Sequence, residues 1–358
     1  MTWTPSPRSS HNSPDTDRLA VNQPTVALCG AGLITGAHAL AASSLGVPIV
    51  AVASRTRTRA EERAAQIRPA ARVVEYEQLP AGADIVIVAT PPGQHLEHAA
   101  HSLSRGAAVL LEKPLVRTLA EADRLVSLGG TVLYGENLAF APLFTEFVQR
   151  ARTIGTITHF ELRTLQSAPT WGGFLSPEWG GGALFDLGIH PLALAVLVAR
   201  ATGNGEVVAA RADLRGDTTD THAEAVIEFA SGLEARIVSS WEGPEAGVWD
   251  MQVSSKTSVV RADLRPEVGL EVNGDPIALP KARHPIPFIE QFGYEDQLRA
   301  LVDSVRGGHA SAIDAGFGRW MLEIVCACYV SAARGGETIP VPSGCARDKS
   351  PWELWKQS

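Results

Sequence analysis

The run Gly30-Ala31-Gly32-Leu33-Ile34-Thr35-Gly36 constrains this chain more than any other stretch, because it follows an apolar segment directly and leads into an Ala-rich one. Glycine at Gly30 permits a tight turn, and glycine at Gly32 lets backbone approach a diphosphate closely. Leu33 and Ile34 then open a helix whose first N–H groups have no partner and face that charge. A chain built this way is committed to a strand–turn–helix unit with a phosphate cradle at the turn. One detail departs from the usual spacing. Thr35 stands where the third small residue is expected, and Gly36 lies beside it.

The alternation continues downstream. Residues 25–29, 48–54, 84–89, 107–111 and 131–134 are short Val/Ile/Leu-rich runs with little alternation, as strands buried on both faces should be. Residues 57–67, 94–105 and 118–128 between them read as helices, the last opening on Thr118 with Glu121 three residues on, a capping-box spacing. This predicts a parallel, doubly wound α/β sheet, a Rossmann domain, over residues 24–142. Beyond it strand-like runs follow one another, at 156–164, 206–214, 222–229, 233–241 and 249–263. Long helices are expected over 183–201, 288–306 and 317–333. These predict a second α/β domain over 143–345 with an open-faced, mostly antiparallel sheet. Its free face is a natural surface for self-association to a dimer or tetramer. Residues 1–23 read as a disordered tail and 346–358 as a C-terminal tail.

Composition narrows the class of partner. The 358 residues carry a net charge of −8, which argues against a nucleic-acid surface. No apolar run approaches the roughly 18 residues that span a bilayer, so no membrane partner is expected. The Pro-, Ser- and Asp-rich start lacks the features of a secretory signal. Cys29, Cys326 and Cys328 fall in apolar runs and Cys345 stands apart. None shows a metal-ligand spacing, so no metal is expected. Together these features suggest a cytoplasmic protein acting on a small molecule.

The end of the second predicted strand selects the cofactor in such domains. A carboxylate about 20 residues after the glycines would bind a ribose hydroxyl. Here the sequence is Val52-Ala53-Ser54-Arg55-Thr56-Arg57. Ser54, Arg55 and Arg57 offer a hydrogen bond and positive charge, which suits a 2′-phosphate. NADP(H) is therefore favoured, with NAD(H) as the alternative.

A second motif, Leu111-Glu112-Lys113-Pro114-Leu115, closes the fourth predicted strand. Around it stand Thr90-Pro91 with His95, then Gly135-Glu136-Asn137 followed by Pro142. Further on come Gly180-Gly181-Gly182-Ala183-Leu184-Phe185-Asp186-Leu187-Gly188-Ile189-His190, Tyr329-Val330-Ser331-Ala332, and a closing segment from Gly335 to Pro340. In this order, from about residue 24 to 342, the chain resembles the Gfo/Idh/MocA family of oxidoreductases. The resemblance implies a nicotinamide-dependent hydride transfer at a cleft between two domains. It implies cofactor contacts from Thr90, Pro91, His95, Glu112 and Lys113, and a cis Lys113–Pro114 peptide. Lys113, Asp186 and His190 would be the catalytic group. The residues support this, since Asp186 and His190 are four apart on one expected helix and share a face that can point into a cleft. Histidine exchanges protons near neutral pH, aspartate can orient it, and lysine can polarise an oxygen.

Asn137, Trp171 and Trp179 are expected on the substrate side, the tryptophans with Phe174 as walls on which a ring can stack. Pro191-Leu192-Ala193 lacks the Asp that follows the histidine in many relatives, and Leu138-Ala139-Phe140 lacks an Arg. Both departures fall where a substrate would be touched. The favoured activity is a dehydrogenase or reductase acting on CH–OH groups of a sugar-like, polyol or cyclic substrate. A transient-redox lyase or glycosidase and a non-catalytic dinucleotide-binding regulator are the alternatives.

Overall fold

The computed structural model describes residues 23–170 and 172–356. Trp171 and residues 1–22 of the expected tail lie outside the described residues. The apolar runs of the first half become β1 (Val26–Cys29), β2 (Ile49–Ala53), β4 (Ile85–Val88), β5 (Ala108–Glu112) and β6 (Val132–Gly135), joined by the short edge strand β3 (Arg72–Val74). All pair in parallel, in the order β3-β2-β1-β4-β5-β6. The winding reverses between β1 and β4, which opens a crevice beyond their C-terminal ends. Helices α1 (Leu33–Ser44), α2 (Arg57–Ala65), α3 (His95–Leu103) and α4 (Leu119–Leu128) connect the strands. The capping box of α4 is in place: Glu121 N donates to Thr118 Oγ1 at 3.2 Å and Thr118 N to a Glu121 carboxylate oxygen at 3.0 Å.

The second half opens with α5 (Pro142–Ala151) and β7 (His159–Leu165), then α6 (Ala183–Asp186) and α7 (Ile189–Ala201). Strands β8 (Val207–Arg215), β9 (His222–Phe229), β10 (Glu234–Ser240), β11 (Val248–Ser254), β12 (Val259–Arg265), β13 (Gly269–Val272) and β14 (Asp275–Pro276) follow. Then come α8 (Phe288–Gln291), α9 (Tyr294–Val305), α10 (Ala315–Ala333), β15 (Ile339–Pro340) and α11 (Pro351–Lys356). The sheet order is β14-β13-β12-β11-β7-β10-β9-β8-β15, antiparallel throughout except for the parallel pair β7 and β10. The run 249–263 is therefore not one strand. Polar residues 255–258 turn it back, with Ser255 N donating to Ser258 O at 2.8 Å.

Alternation sorts this sheet's residues to two faces. Phe160, Leu162, Ala225, Ile227, Ala235 and Ile237 are buried, on the side that carries α5, α7 and α10. The opposite face is charged rather than apolar. Arg163 pairs with Asp250, Arg236 with Glu161 and Glu224, Arg211 with Glu234, and Arg261 with Asp263.

Two expected helices are broken. The stretch 183–201 turns by 48° between residues 177–186 and 189–201. Pro191 lacks an N–H, and its ring would meet the Leu187 carbonyl one turn back, so it is tolerated only in the first turn of a new helix. Gly188 sits at the corner, where a Cβ would lie 2.8 Å from the Ser239 hydroxyl of β10. Helix α7 is then buried on all sides from Ile189 to Ala199, which fixes whatever it carries. The stretch 288–306 breaks at Gly293, whose φ of +79° and approach to the Asn137 carbonyl exclude a side chain.

The halves also interlock. Helix α9 packs on α1, and α10 packs on both α4 and β8. Residues 346–356, the described part of the expected C-terminal tail, are docked rather than free. Ala120 N donates to Arg347 O at 2.7 Å and Trp352 N to Gly180 O at 2.9 Å, while Pro351 and Leu354 are buried. The apolar residues at 351–356 give this segment a surface to dock, which its short length conceals. Among the described residues no single helix is long and apolar enough to cross a membrane.

Candidate active site

The glycine turn is built as a cradle. Gly30 has φ of +114°, and a Cβ there would lie 2.6 Å from the Ala89 carbonyl at the end of β4. A Cβ on Gly32 would meet nothing within 4 Å, so the turn faces open space. No side chain caps the N-terminus of α1, and Leu33 is 67% exposed beside it. Across the crevice the buried Thr90 hydroxyl has no partner among the described residues. Uncapped N–H groups, open space over glycine and an orphaned hydroxyl suit a dinucleotide with its phosphates on the turn. The displaced glycine also has its reason. The Arg63 guanidinium of α2 packs over Gly36, 3.0 Å from where a Cβ would be, and donates to Gly32 O at 3.1 Å. Thr35 is buried instead. Sequence reading missed Arg63, although the small residue opposite it was a signal.

The three residues expected to read the ribose differ in freedom. The Ser54 hydroxyl accepts from Thr56 N at 3.4 Å. Arg57 is engaged by Glu61 at 3.0 Å and Glu75 at 3.5 Å, in exposed pairs of little strength. Arg55 lies exposed after β2, with its backbone N donating to the Tyr76 hydroxyl at 2.9 Å.

The reactive cluster follows from strand register. Strands β5 and β6 align Glu112 with Gly135, so the next residue of each, Lys113 and Glu136, stand side by side where the strands end. Only glycine fits at 135, because a Cβ would lie 2.6 Å from Glu112 Cα. Lys113, which follows β5 and precedes the cis bond to Pro114, donates through Nζ to the Asp186 carboxylate and the Asp186 carbonyl, each at 2.9 Å. His190, at the start of α7, places Nδ1 2.8 and 2.9 Å from the two oxygens of the fully buried Glu136. With Nδ1 donating to that carboxylate, Nε2 keeps its lone pair and has no partner among the described residues. Burial alone would lower the Lys113 ammonium pKa. The Asp186 contact, with Glu112 and Glu136 behind it, outweighs burial and raises it above 10.5.

Lys113, Asp186 and His190 are thus brought together, but not by one helix face. Asp186 ends α6 and holds Lys113, whereas Glu136, quoted in its motif but not assigned a role, holds His190. Three other expected residues face inward. His95 is buried between the carbonyls of Thr90, at 2.7 Å, and of Pro114 and Leu115, at 3.0 and 3.1 Å. Burial lowers its pKa, and its ring nitrogens lie against the carbonyls of two loops. Glu112 faces inward, 2.7 Å from His38 Nε2 and accepting from Lys113 N at 3.0 Å. Asn137 donates to Phe292 O at 2.7 Å and is buried. Pro91 is exposed at the crevice. Trp179 packs against Phe174, with ring centroids 4.5 Å apart and planes tilted by 54°, in a small apolar cluster with Ala183, Leu187 and Trp241 that flanks Asp186.

Residues 25–129 match the model of an oxidoreductase family with an NAD-binding Rossmann fold, and residues 148–258 match the GFO/IDH/MocA C-terminal domain. The chain is 26% identical over 303 residues to D-xylose 1-dehydrogenase (NADP(+)) 2 of Haloferax volcanii, spanning 80% of this chain and 90% of that protein. It is 27% identical over 237 residues to the scyllo-inositol 2-dehydrogenase (NADP(+)) IolU of Bacillus subtilis, spanning 62% and 66%. Among solved structures, GenD2 from gentamicin A biosynthesis in complex with NAD is 27% identical, with a TM-score of 0.78 over 94% of this chain and 99% of that one.

The raised Lys113 value fixes a pH dependence of stability. A lysine whose folded pKa lies above its unfolded 10.5 contributes stability that is fully present below 10.5 and is lost as pH rises through the folded value. The parent chain should therefore exceed Asp186→Asn in urea midpoint by a constant margin at neutral and mildly alkaline pH. That margin should shrink only above 10.5. A margin that disappears near neutrality would show that the pair is not ionised.

Proposed function

This chain belongs to the Gfo/Idh/MocA family of oxidoreductases, and from that premise we propose that it moves a hydride between NADP(H) and the CH–OH carbon of a small polyol, sugar-like or cyclic substrate. The observation that carries this reading is the pairing of Lys113 with Asp186 and of His190 with Glu136 at the ends of adjacent strands. The bound nicotinamide supplies or accepts the hydride. His190 Nε2 takes the proton of the substrate hydroxyl on oxidation and returns it on reduction. Glu136 keeps the imidazole in the tautomer that this requires and stabilises it once charged. The Lys113 ammonium, held cationic by Asp186, stabilises negative charge developing on the same oxygen. Packing of α7 on all sides keeps these groups from relaxing away from the substrate. In solution the charged face of the second sheet joins copies of the chain into a dimer or tetramer.

General acid–base or electrostatic help from one such residue is worth about 10²–10⁴-fold in rate. Lys113→Met should lower turnover by that factor and leave cofactor affinity nearly unchanged, because the phosphates rest on the glycine turn. Glu136→Gln and His190→Asn should each cost about 10²-fold or more. Steady-state turnover with a substrate found by screening polyols, sugars and cyclic ketones decides the matter. Near-normal turnover of Lys113→Met would overturn the mechanism.

Ser54 and the exposed Arg55 support NADP(H) over NAD(H). Charge-assisted contact to a 2′-phosphate predicts roughly a tenfold preference or more. Fluorescence titration with both reduced cofactors measures it, and Arg55→Ala should remove most of the difference. Equal or tighter NADH binding would refute the assignment.

The assembly is checked by light scattering at micromolar concentration. A mass of two or four chains is expected, with two-fold symmetry. The mass of one chain would contradict it.

A further inference from the structure

Arg163, Arg211, Arg236 and Arg261 on the open face of the second sheet pair with carboxylates; Arg265, half-buried at the end of the same sheet's β12, does not. In the β11–β12 hairpin Asp250 aligns with Asp263 but Trp249 aligns with Arg265, so Leu264 is an extra residue in β12. Such a bulge re-aims the next side chain. It carries Arg265 off the charged face and over the Trp249 ring at 5.4 Å and the Phe292 ring at 5.7 Å. There the guanidinium forms no hydrogen bond or ion pair among the described residues, although it is half-buried. Trp249 in turn lies 5.9 Å from the His190 ring, centroid to centroid, so the cation stands one aromatic ring away from the proposed base.

A second observation points to the same kind of ligand. The indole N–H groups of Trp179, Trp241 and Trp249 are buried without a partner, and Trp241 is only 4% exposed. The three rings belong to one cluster around Ala183 and Leu187, on either side of Asp186. Buried donors are normally satisfied, and three orphans in one cluster beside a reactive pair call for a ligand rich in acceptors. The rings also give flat apolar surface for the C–H face of a sugar or cyclitol.

We propose that Arg265 selects a substrate bearing an oxyanion, a carboxylate or a phosphate, on a polyol ring or chain whose hydroxyl reacts at His190. The arginine is stacked and therefore pre-oriented. Its planar fork matches either oxyanion in a two-point contact. This deepens the dehydrogenase reading and rests on it for the reacting hydroxyl.

The test uses the full chain with NADP⁺ and three probes, D-glucose, D-glucuronate and D-glucose 6-phosphate. Quenching of tryptophan fluorescence reports binding without turnover, and nicotinamide absorbance reports redox. At least one acidic probe should bind about tenfold tighter than glucose. Which one does so separates carboxylate from phosphate. Arg265→Met should abolish that preference with glucose affinity unchanged, and Arg265→Lys should retain part of it. No preference for either acid in the parent chain, including no binding of any probe, overturns the proposal. So does a preference that survives Arg265→Met. An equal loss for all three probes would make Arg265 a packing group between Trp249 and Phe292, which also overturns it. Acid preference without any redox signal leaves the recognition standing and removes the dehydrogenase reading, so the two failures are distinguishable.

Discussion

The buried contact between Lys113 and Asp186 holds this structure's chemistry together. It joins the last residue after a strand of the nucleotide sheet to the short helix that leads into the second domain. Removing two charges from water is costly, and a buried pair repays that cost only when its geometry is held by everything around it. Here the surroundings do so. Glu112 anchors the Lys113 backbone and is itself fixed by His38 on α1. Burial alone would raise the Glu112 carboxyl, but His38 and Lys113 hold it below its ordinary range. The helix that leaves its N-terminus uncapped over the glycine turn is thus tied, through the His38 and Glu112 side chains, to Lys113.

On the other side of the pair, α6 is equally constrained. Asp220 is buried, accepts from Leu184 N at 2.8 Å and from the Tyr329 hydroxyl at 2.5 Å, and its carbonyl accepts from Ala183 N at 2.8 Å. Gly182 approaches Asp220 so closely that a Cβ would lie 2.1 Å from its carbonyl oxygen. The triple glycine therefore permits close packing of a loop against β9's approach, and Asp220 completes the helix start that no local cap provides. Four clustered aromatic residues, Phe174, Trp179, Trp241 and Trp249, are carried by a loop, a turn, the end of a strand and the strand opposite the β12 bulge.

Much of the fold is legible in the sequence, and the misses share a cause. Continuous Val/Ile/Leu runs suit parallel strands covered on both faces, so β1, β2, β4, β5 and β6 are readable, whereas Arg72-Val73-Val74 is too short to register. Lys113, Asp186 and His190 can be found by motif, but their partners cannot. Which carboxylate meets which base depends on the alignment of Glu112 with Gly135, a tertiary fact with no linear trace. The helix corner at Leu187 and Gly188 was readable from Pro191, because a proline forbids the continuous helix that the apolar pattern invites. His95, Glu112 and Asn137 show the opposite problem. A polar residue in a functional motif can serve by facing inward, and composition does not tell bracing from contact.

The ladder of arginines and carboxylates on the second sheet has a consequence for how the chain finds its pairing. A slip of one residue between β7 and β11 would turn the apolar side chains to water, so burial rejects it. A slip of two residues keeps the same faces, and burial is blind to it. Charge is not. Moving β11 by two would set Asp250 opposite Glu161 instead of Arg163, and moving β10 by two would set Arg236 opposite Arg163 instead of Glu161. Like charges directly opposite one another are unfavourable. The outer face thus acts as a proofreading code for strand alignment, discriminating among the errors that the core would accept.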